Sequence, residues 1–147
     1  MELDLSTLRP AECYKVLASL ITPRPIAWIT SVNQEGAVNA APFSFFNCFG
    51  SNPPIVAFAP GNKEPGIPKD TARNIRNNRE FVVNIADEAL ADKMVATSAS
   101  LPHGESELAI TGLTPAKSVS VMAPRIAEAP VSFECREWAT LEIGSNR

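Results

Sequence analysis

Proline constrains this chain more than any other residue type. It occupies 13 of the 147 positions, or about 9%, against a usual frequency of about 5%. Because proline lacks an amide N–H and fixes its own φ, it is excluded from helix interiors and from central strands. The chain is therefore expected to form short elements separated by many turns.

The remaining composition is typical of one globular domain. Hydrophobic residues make up 45% of the chain, and 13 Lys and Arg against 16 Asp and Glu give a net charge of −3. This balance offers no basic surface to nucleic acid or to an anionic membrane, so neither partner is expected. No apolar run approaches the roughly 18 residues of a membrane span, and the N-terminal segment lacks the basic residues of a signal peptide. We expect a cytoplasmic protein.

The residues that usually carry catalysis or bind metals are sparse. The three cysteines, Cys13, Cys48 and Cys135, are widely separated and form no CxxC pair, which predicts reduced thiols without a disulfide or a zinc site. His103 is the single histidine. The dinucleotide, P-loop, zinc-protease and hydrolase motifs are all absent. No catalytic residue and no metal ligand is predicted.

The first half of the chain has the pattern of an antiparallel hairpin. Residues 26–32 are rich in β-branched and aromatic types, residues 33–36 form a polar loop ending in glycine, and residues 37–46 form the return strand. Pro42, inside the return strand, predicts an edge, a bulge or a break in the ladder. Residues 55–59 are apolar without alternation, which predicts a strand buried on both faces.

The second half adds helices and a long strand. We predict a helix over 71–78 with Asp70 as its cap, a strand over 80–85, and a second helix from Asp87 to about Ser98. Residues 99–118 have the composition of a connection, and residues 131–143 alternate as one long half-buried strand. In the second helix, Leu90 and Met94, with Ala91 and Val95, make an apolar stripe. The fold class is mainly β with added helices, and a small barrel would close the sheet.

Two clusters of small, hydroxylated and amide residues each allow two interpretations. Residues 40–42 form either a bulged strand packed against a helix, with the nearby phenylalanines as core, or a flat slot for an aromatic ligand. Lys69, Asp70 and Thr71 begin either an ordinary capped helix or a phosphate site, because a helix start offers unpaired N–H groups. A slot beside a phosphate site is what flavin mononucleotide (FMN) requires.

Five segments together resemble a known family. They are residues 24–31 (RPIAWITS), 36–47 (GAVNAAPFSFFN), 53–56 (PPIV), 69–75 (KDTARNI) and 81–84 (FVVN). In this order they resemble the flavin reductase-like, FMN-binding split-barrel family that includes flavoredoxins. The APFSFFN block followed by DTxxN is the specific part of the match, which runs from about residue 14 to the end of the sequence.

The resemblance implies a split β-barrel homodimer with one FMN per subunit at or near the dimer interface. It also implies NAD(P)H-dependent flavin reduction, or electron transfer to a partner such as a monooxygenase or another electron acceptor. Hydride and electron transfer belong to the flavin, so the protein need supply no acid, base or nucleophile. Similar proteins continue past residues 141–147, so residues 1–147 are expected to form a single domain that lacks the family's final C-terminal strands.

Carried over by motif, the resemblance implies two groups of cofactor-binding residues. Ala41, Pro42, Phe43 and Ser44 would line the isoalloxazine ring, with Asn47 nearby. The residues that would hold the ribityl chain and phosphate are Thr30, Ser31, Lys69, Asp70, Thr71 and Asn74. His103 lies in a loop that approaches the cofactor in similar proteins, although an exposed loop histidine fits the pattern equally well. The alternative functions are a non-catalytic flavin carrier or sensor, and a structural dimerisation module that has lost cofactor binding.

Overall fold

The chain forms four α-helices and ten short strands in the residues that the computed structural model describes, 2–102 and 104–143. The helices are α1 (Pro10–Leu20), α2 (Asp70–Asn78), α3 (Ala91–Ala96) and α4 (Glu107–Thr111), with 3-10 turns at Leu5–Thr7 and Glu88–Leu90. The strands are β1 (Ala27–Val32), β2 (Val38–Phe43), β3 (Phe46–Ser51), β4 (Pro54–Phe58), β5 (Asn62–Glu64), β6 (Ile67–Pro68), β7 (Glu80–Ile85), β8 (Pro115–Ala116), β9 (Arg125–Ile126) and β10 (Val131–Arg136).

A four-stranded antiparallel sheet in the order β10-β7-β1-β2 forms the centre of the fold. The other strands pair two by two, as β3-β4, β5-β6 and β8-β9. The mainly β fold with added helices is thereby confirmed. Within the two described ranges, no helix is both long enough and apolar enough to cross a membrane.

The predicted hairpin is β1 and β2, and its register explains the proline within it. Asn33 N–H donates to the Ala37 carbonyl at 3.0 Å, and Trp28 lies opposite Pro42. Antiparallel pairs alternate between hydrogen-bonded and non-bonded, so Pro42 occupies a non-bonded position. Its missing N–H would face away from β1, and β2 is the edge of the sheet. The predicted edge position of Pro42 is confirmed.

Helices cover both faces of β1, whose residues are all buried. On one face, Trp28 packs against residues of α3, α4 and β9, among them Met94, Leu108 and Ile126. On the other face, Ile29 packs in a cluster with α2, β2 and β7; its buried members are Ala27, Ile29, Phe43, Ile75, Phe81 and Val83. The two faces of one strand therefore belong to two separate hydrophobic clusters.

The prediction of Asp70 as the cap of α2 was wrong. Lys69 is the N-cap residue, no side chain caps the helix, and Asp70 is its first residue. The Asp70 carboxylate instead pairs with Lys63 at 2.6 Å and with Arg73 at 3.7 Å. These cations engage the carboxylate that would otherwise have capped the helix.

The second predicted helix is confirmed at its start and shorter at its end. Asp87 accepts a hydrogen bond from Leu90 N–H at 3.1 Å, beginning a 3-10 turn that continues into α3, which ends at Ala96 rather than near Ser98. Leu90 and Met94 are buried as predicted, but Val95 is 62% exposed. The apolar stripe is therefore narrower than the spacing indicated.

Three strand predictions needed correction. The return strand ends at Phe43, because the chain bends at residues 44–45 and Phe46 begins β3. Strand β4 is not buried on both faces, since its residues are exposed or partly buried beside β3. The last strand ends at Arg136 rather than 143. Arg136 lies opposite Glu80, the first residue of β7, and just beyond this pair the Glu137 N–H donates to the Arg79 carbonyl at 2.8 Å.

The stretch 99–118 is more structured than predicted, since it contains α4 and β8. The cysteines agree with the prediction of reduced thiols, because Cys13, Cys48 and Cys135 are all free. Burial raises the pKa of the Cys135 thiol to about 11. The neutral thiol is therefore the favoured form of Cys135 at neutral pH.

Candidate functional site

A cavity of about 480 Å³ opens where β2 ends. Its walls come from α1, the bend between β2 and β3, the segment from β4 to β5, and the residue before α2. The lining residues are Tyr14, Pro42, Phe43, Ser44, Phe45, Ala59, Pro60, Gly61, Asn62, Lys63, Glu64, Pro65 and Lys69. Pockets of about 300–1,000 Å³ hold cofactors and other small molecules, so the volume suits one such ligand.

Aromatic rings form much of the cavity wall and are fixed from behind. The Phe43 ring packs against Phe58 with centroids 5.4 Å apart, and the Phe45 ring lies 5.7 Å from Tyr14. The Arg24 guanidinium stands 5.8 Å from the Phe45 centroid and donates to the Ala18 carbonyl at 2.5 Å near the end of α1. These rings give the cavity an aromatic side, which suits contact with a flat ring.

Lys69 brings a positive charge to this aromatic side of the cavity. Its Nζ lies 5.4 Å from the centroid of the Phe43 ring, and burial, with a smaller contribution from Lys63, lowers the pKa of its amine. Lys63 is paired with Asp70 at 2.6 Å, whereas no carboxylate of the described residues pairs with Lys69. A partly buried cation without a counter-ion favours the binding of an anion.

The start of α2 is joined to the hairpin through a buried polar network. Asn39 Nδ2 donates to the Thr71 hydroxyl at 2.8 Å, and Asn74 Nδ2 donates to the Ser31 hydroxyl at 3.1 Å. The Asn74 Oδ1 atom is buried and has no hydrogen-bond partner among residues 2–102 and 104–143. It borders a second space of about 10 Å³ that is also lined by Asp70, about the size of one water molecule.

The structure brings most of the predicted cofactor residues into these two neighbouring groups. Pro42, Phe43, Ser44 and Lys69 line the cavity, and Asp70 pairs with Lys63, which lines it as well. Ser31, Thr71 and Asn74 form the buried network beside it. Ala41 is partly buried and packs against the cluster around Ile29 rather than lining the cavity.

Two other predicted residues lie apart from the cavity. Thr30 faces the opposite side of β1 from Ser31, as neighbours in a strand do, and its hydroxyl donates to the Pro124 carbonyl at 2.5 Å. Asn47 is exposed on β3, where its Oδ1 accepts from Cys48 N–H at 2.8 Å. His103 lies outside the described residues.

The sequence analysis missed several residues of the site. Tyr14 and Phe45 meet across the cavity from segments distant in sequence, which no local pattern indicates. Lys63 had a detectable signal, since it lies in a Pro- and Gly-rich loop directly before the predicted phosphate site. No sequence pattern indicated Glu107. Its side chain is buried, 7% exposed, and its Oε2 accepts from Ala40 N–H at 2.9 Å.

Comparison with known proteins gives a family match over most of the chain. Residues 19–147 match the model of the flavin reductase like domain. Curated relatives from Aquifex aeolicus, Bacillus subtilis and Deinococcus radiodurans are 41–47% identical, and the chain spans 62–66% of their length. The expectation of one domain without the family's final strands stays a prediction.

Solved structures resemble this one closely. Nitrilotriacetate monooxygenase component B from Bacillus cereus is 38% identical with a TM-score of 0.89, over 92% of this chain and 67% of that one. The 2-nitrobenzoate 2-nitroreductase of Pseudomonas fluorescens is 34% identical with a TM-score of 0.88, over 99% and 70% of the two chains. A flavin reductase with a split barrel domain from Shewanella frigidimarina, 22% identical with a TM-score of 0.76 over 92% and 68%, shows the fold. The predicted split-barrel fold is confirmed.

Proposed function

This chain belongs to the flavin reductase like family, and on that premise we propose that it binds FMN and takes part in NAD(P)H-dependent flavin reduction or electron transfer. When bound, the flavin supplies the hydride and electron chemistry. The residues of the chain then have to bind the cofactor, orient it and shield it from water.

One observation carries the proposal: the Lys69 ammonium, which no carboxylate of the described residues pairs with, stands 5.4 Å from the Phe43 ring inside the cavity of about 480 Å³. FMN joins a flat, largely apolar ring system to a phosphate dianion. An aromatic surface and a partly buried cation are two features that such a molecule needs from one cavity. The Asp70 carboxylate does not oppose the anion strongly, because Lys63 and Arg73 already neutralise it.

The roles proposed for individual residues follow from their placement. Pro42 and Phe43 would support the ring, and the Lys69 ammonium and Ser44 hydroxyl would bind the phosphate or other polar groups. Thr71 and Asn74 would hold α2 against the hairpin, so that Lys69 keeps its position. The unpartnered Asn74 Oδ1 is an acceptor that a cofactor hydroxyl or a bridging water would satisfy.

We extend the proposal to the assembly. The Bacillus cereus protein is component B of a monooxygenase, and on that likeness we propose that this chain supplies electrons to a partner monooxygenase. We also propose a homodimer located in the cytoplasm, as the family resemblance implies. Sedimentation velocity with and without FMN measures whether the chain is a homodimer.

Cofactor binding is tested by titrating the protein with FMN and with riboflavin while flavin fluorescence is followed. Riboflavin is the matched control because it has the same ring and lacks the phosphate. We expect FMN to bind at least about tenfold more tightly, since a charge-assisted hydrogen bond contributes about 1.5–3 kcal/mol. Equal binding of the two ligands would contradict the proposed phosphate site, and binding of neither would contradict the proposal as a whole.

Turnover is tested by adding NADH or NADPH to the FMN-loaded protein and following the loss of reduced nicotinamide. Oxidation that depends on the protein supports a flavin reductase. A protein that stays yellow without oxidising either nicotinamide is a carrier or sensor, and a protein that stays colourless is a structural module.

A further inference from the structure

A buried carboxylate lies behind the strand that forms the cavity wall. Glu107 is the first residue of α4 and is only 7% exposed. Its Oε2 accepts from the backbone N–H of Ala40 at 2.9 Å. Buried glutamates are rare unless paired, and burial with the nearby Asp70 charge raises the pKa of this carboxyl. An apolar side chain would avoid that cost, but it would leave the Ala40 N–H unsatisfied.

The Ala40 N–H needs a partner because it faces the open edge of the sheet. Ala40 lies opposite Thr30 in β1. Asn33 and Ala37 form a hydrogen-bonded pair, and because bonded and non-bonded pairs alternate along an antiparallel ladder, Thr30 and Ala40 form a non-bonded pair. The next position of the same kind along β2 is Pro42, which has no N–H. Glu107 therefore binds the last outward amide of β2 before the cavity.

Two contacts then fix β2 where it meets the cavity. Asn39, next to Ala40, holds the strand to α2 through the Thr71 hydroxyl at 2.8 Å. Glu107 holds the adjacent amide from the side of α4. Two residues beyond Ala40, Pro42 enters the cavity wall, followed by Phe43 and Ser44. A displacement of Ala40 is carried into that wall because little chain lies between them.

The geometry points to Glu107 as a positioning residue of the flavin cavity. Its carboxylate oxygen, acting through the Ala40 N–H, holds the end of β2 so that Pro42, Phe43 and Ser44 form the surface that receives the cofactor. Glu107 itself does not line the cavity. The inference deepens the proposed function and rests on it for the flavin.

Two substitutions separate the acceptor from the charge. Glu107→Gln keeps a carbonyl oxygen for the Ala40 N–H, whereas Glu107→Leu removes the acceptor and keeps a side chain of similar length. The control is Glu128→Leu, because Glu128 also accepts from a backbone N–H, that of Thr114 at 3.1 Å, and does not line the cavity. FMN affinity is measured by fluorescence at a temperature well below the unfolding of each variant.

We expect Glu107→Gln to keep the FMN dissociation constant within about threefold of the original and Glu107→Leu to raise it at least about tenfold, with Glu128→Leu unchanged. Equal binding by Glu107→Leu and the original protein would overturn the inference. An equal loss in Glu107→Gln and Glu107→Leu would also overturn it, since the charge and not the acceptor would then matter. If Glu107→Leu does not fold, Glu107→Asp replaces it and is expected to weaken binding, because its shorter side chain does not reach Ala40.

A second measurement does not depend on FMN. In the cofactor-free protein, amide hydrogen exchange is expected to quicken at Ala40, Phe43 and Ser44 in Glu107→Leu and to stay unchanged in Glu107→Gln. Unaltered exchange at Phe43 and Ser44 would overturn the positioning role. A failure of the proposed function appears differently, as a lack of FMN binding by the original protein while these exchange rates still respond.

Discussion

Two buried asparagines, Asn84 in β7 and Asn74 in α2, show how the scaffold differs from the site. Asn84 is fully buried, and its Nδ2 donates to the Trp28 carbonyl and the Thr30 hydroxyl, both at 3.1 Å. Its Oδ1 accepts from Ile126 N–H at 2.9 Å and from the Ser132 hydroxyl at 3.0 Å. Asn84 therefore satisfies all of its polar atoms and joins β7 to β1, β9 and β10.

Asn74 is almost equally buried, 2% exposed, but it is only half satisfied. Its Nδ2 donates to Ser31, and its Oδ1 has no partner in the part of the chain that the structure describes. The neighbouring Lys69 similarly carries a charge that no carboxylate of the described residues balances. Buried polar groups are normally paired, so the region around α2 has unused binding capacity that the scaffold lacks. A ligand with donors and a negative charge would complete it.

The largest expected effect is that of Asn84→Ala, which removes the fully hydrogen-bonded asparagine of the scaffold. The change leaves the Ile126 N–H buried without its Asn84 partner and removes three further hydrogen bonds. Each unsatisfied buried group costs about 1–3 kcal/mol, so we expect the free energy of unfolding to fall by about 3 kcal/mol or more. Urea unfolding measures it, and a loss below about 1 kcal/mol would show that Asn84 is not a central link.

The next largest effect is expected for Lys69→Ala, which tests the positive charge in the cavity. The change removes the cation proposed to bind the FMN phosphate, so we expect FMN affinity to fall by about 1–3 kcal/mol. Riboflavin affinity should stay nearly constant, because riboflavin has no phosphate. Lys63→Ala is the matched control, since Lys63 lines the same cavity but is paired with Asp70, and we expect a smaller loss. Unchanged FMN affinity in Lys69→Ala would remove this residue from the site.

A smaller effect is expected for Asn74→Ala, the counterpart of Asn84→Ala. Only one hydrogen bond is lost, and an unsatisfied oxygen disappears with it, so the cofactor-free protein should lose only about 1 kcal/mol. The stabilisation that added FMN provides should also decrease. Urea unfolding with and without FMN measures both. A loss as large as that of Asn84→Ala would erase the distinction between the two regions.

What the sequence could predict depended on how local the determining contacts are. The hairpin, strand β7 and the Asp87 cap follow from patterns a few residues long, and all three are present. The resemblance likewise selected Phe43 and Lys69, which the structure places side by side. These features need no knowledge of the rest of the chain.

The remaining features depend on contacts between distant segments. The last strand ends at Arg136, opposite Glu80, where its partner β7 begins, and the pattern of the strand itself contains no trace of this. Helix α4 has five residues, too few for a periodic signal, so its buried Glu107 was not found. Thr30 and Ser31 were assigned to one site, although adjacent strand residues face opposite sides.

The smallest expected effect concerns the pH dependence of stability at Glu107. Burial and the Asp70 charge raise the pKa of its carboxyl, against the lowering effects of the Ala40 N–H and Lys63. α3, which packs against α4, also carries the exposed Asp92 and Lys93. Because the pKa is raised on folding, the folded chain holds this proton more tightly than the unfolded chain does. The resulting stabilisation is complete below the unfolded pKa and is lost as the pH rises through the folded value.

Glu107→Gln does not titrate and keeps an acceptor for Ala40, so it isolates this contribution. We expect the variant to gain stability relative to the original protein as the pH rises above the ordinary glutamate pKa, because burial disfavours the ionised carboxyl in the folded state. Urea unfolding of both proteins at several pH values measures the difference. A difference that is constant with pH, or that shrinks toward neutrality, would mean that the Glu107 carboxyl is not destabilised by burial. The fold would then bury the Glu107 carboxyl without an electrostatic cost, as it buries the uncharged side chain of Asn84.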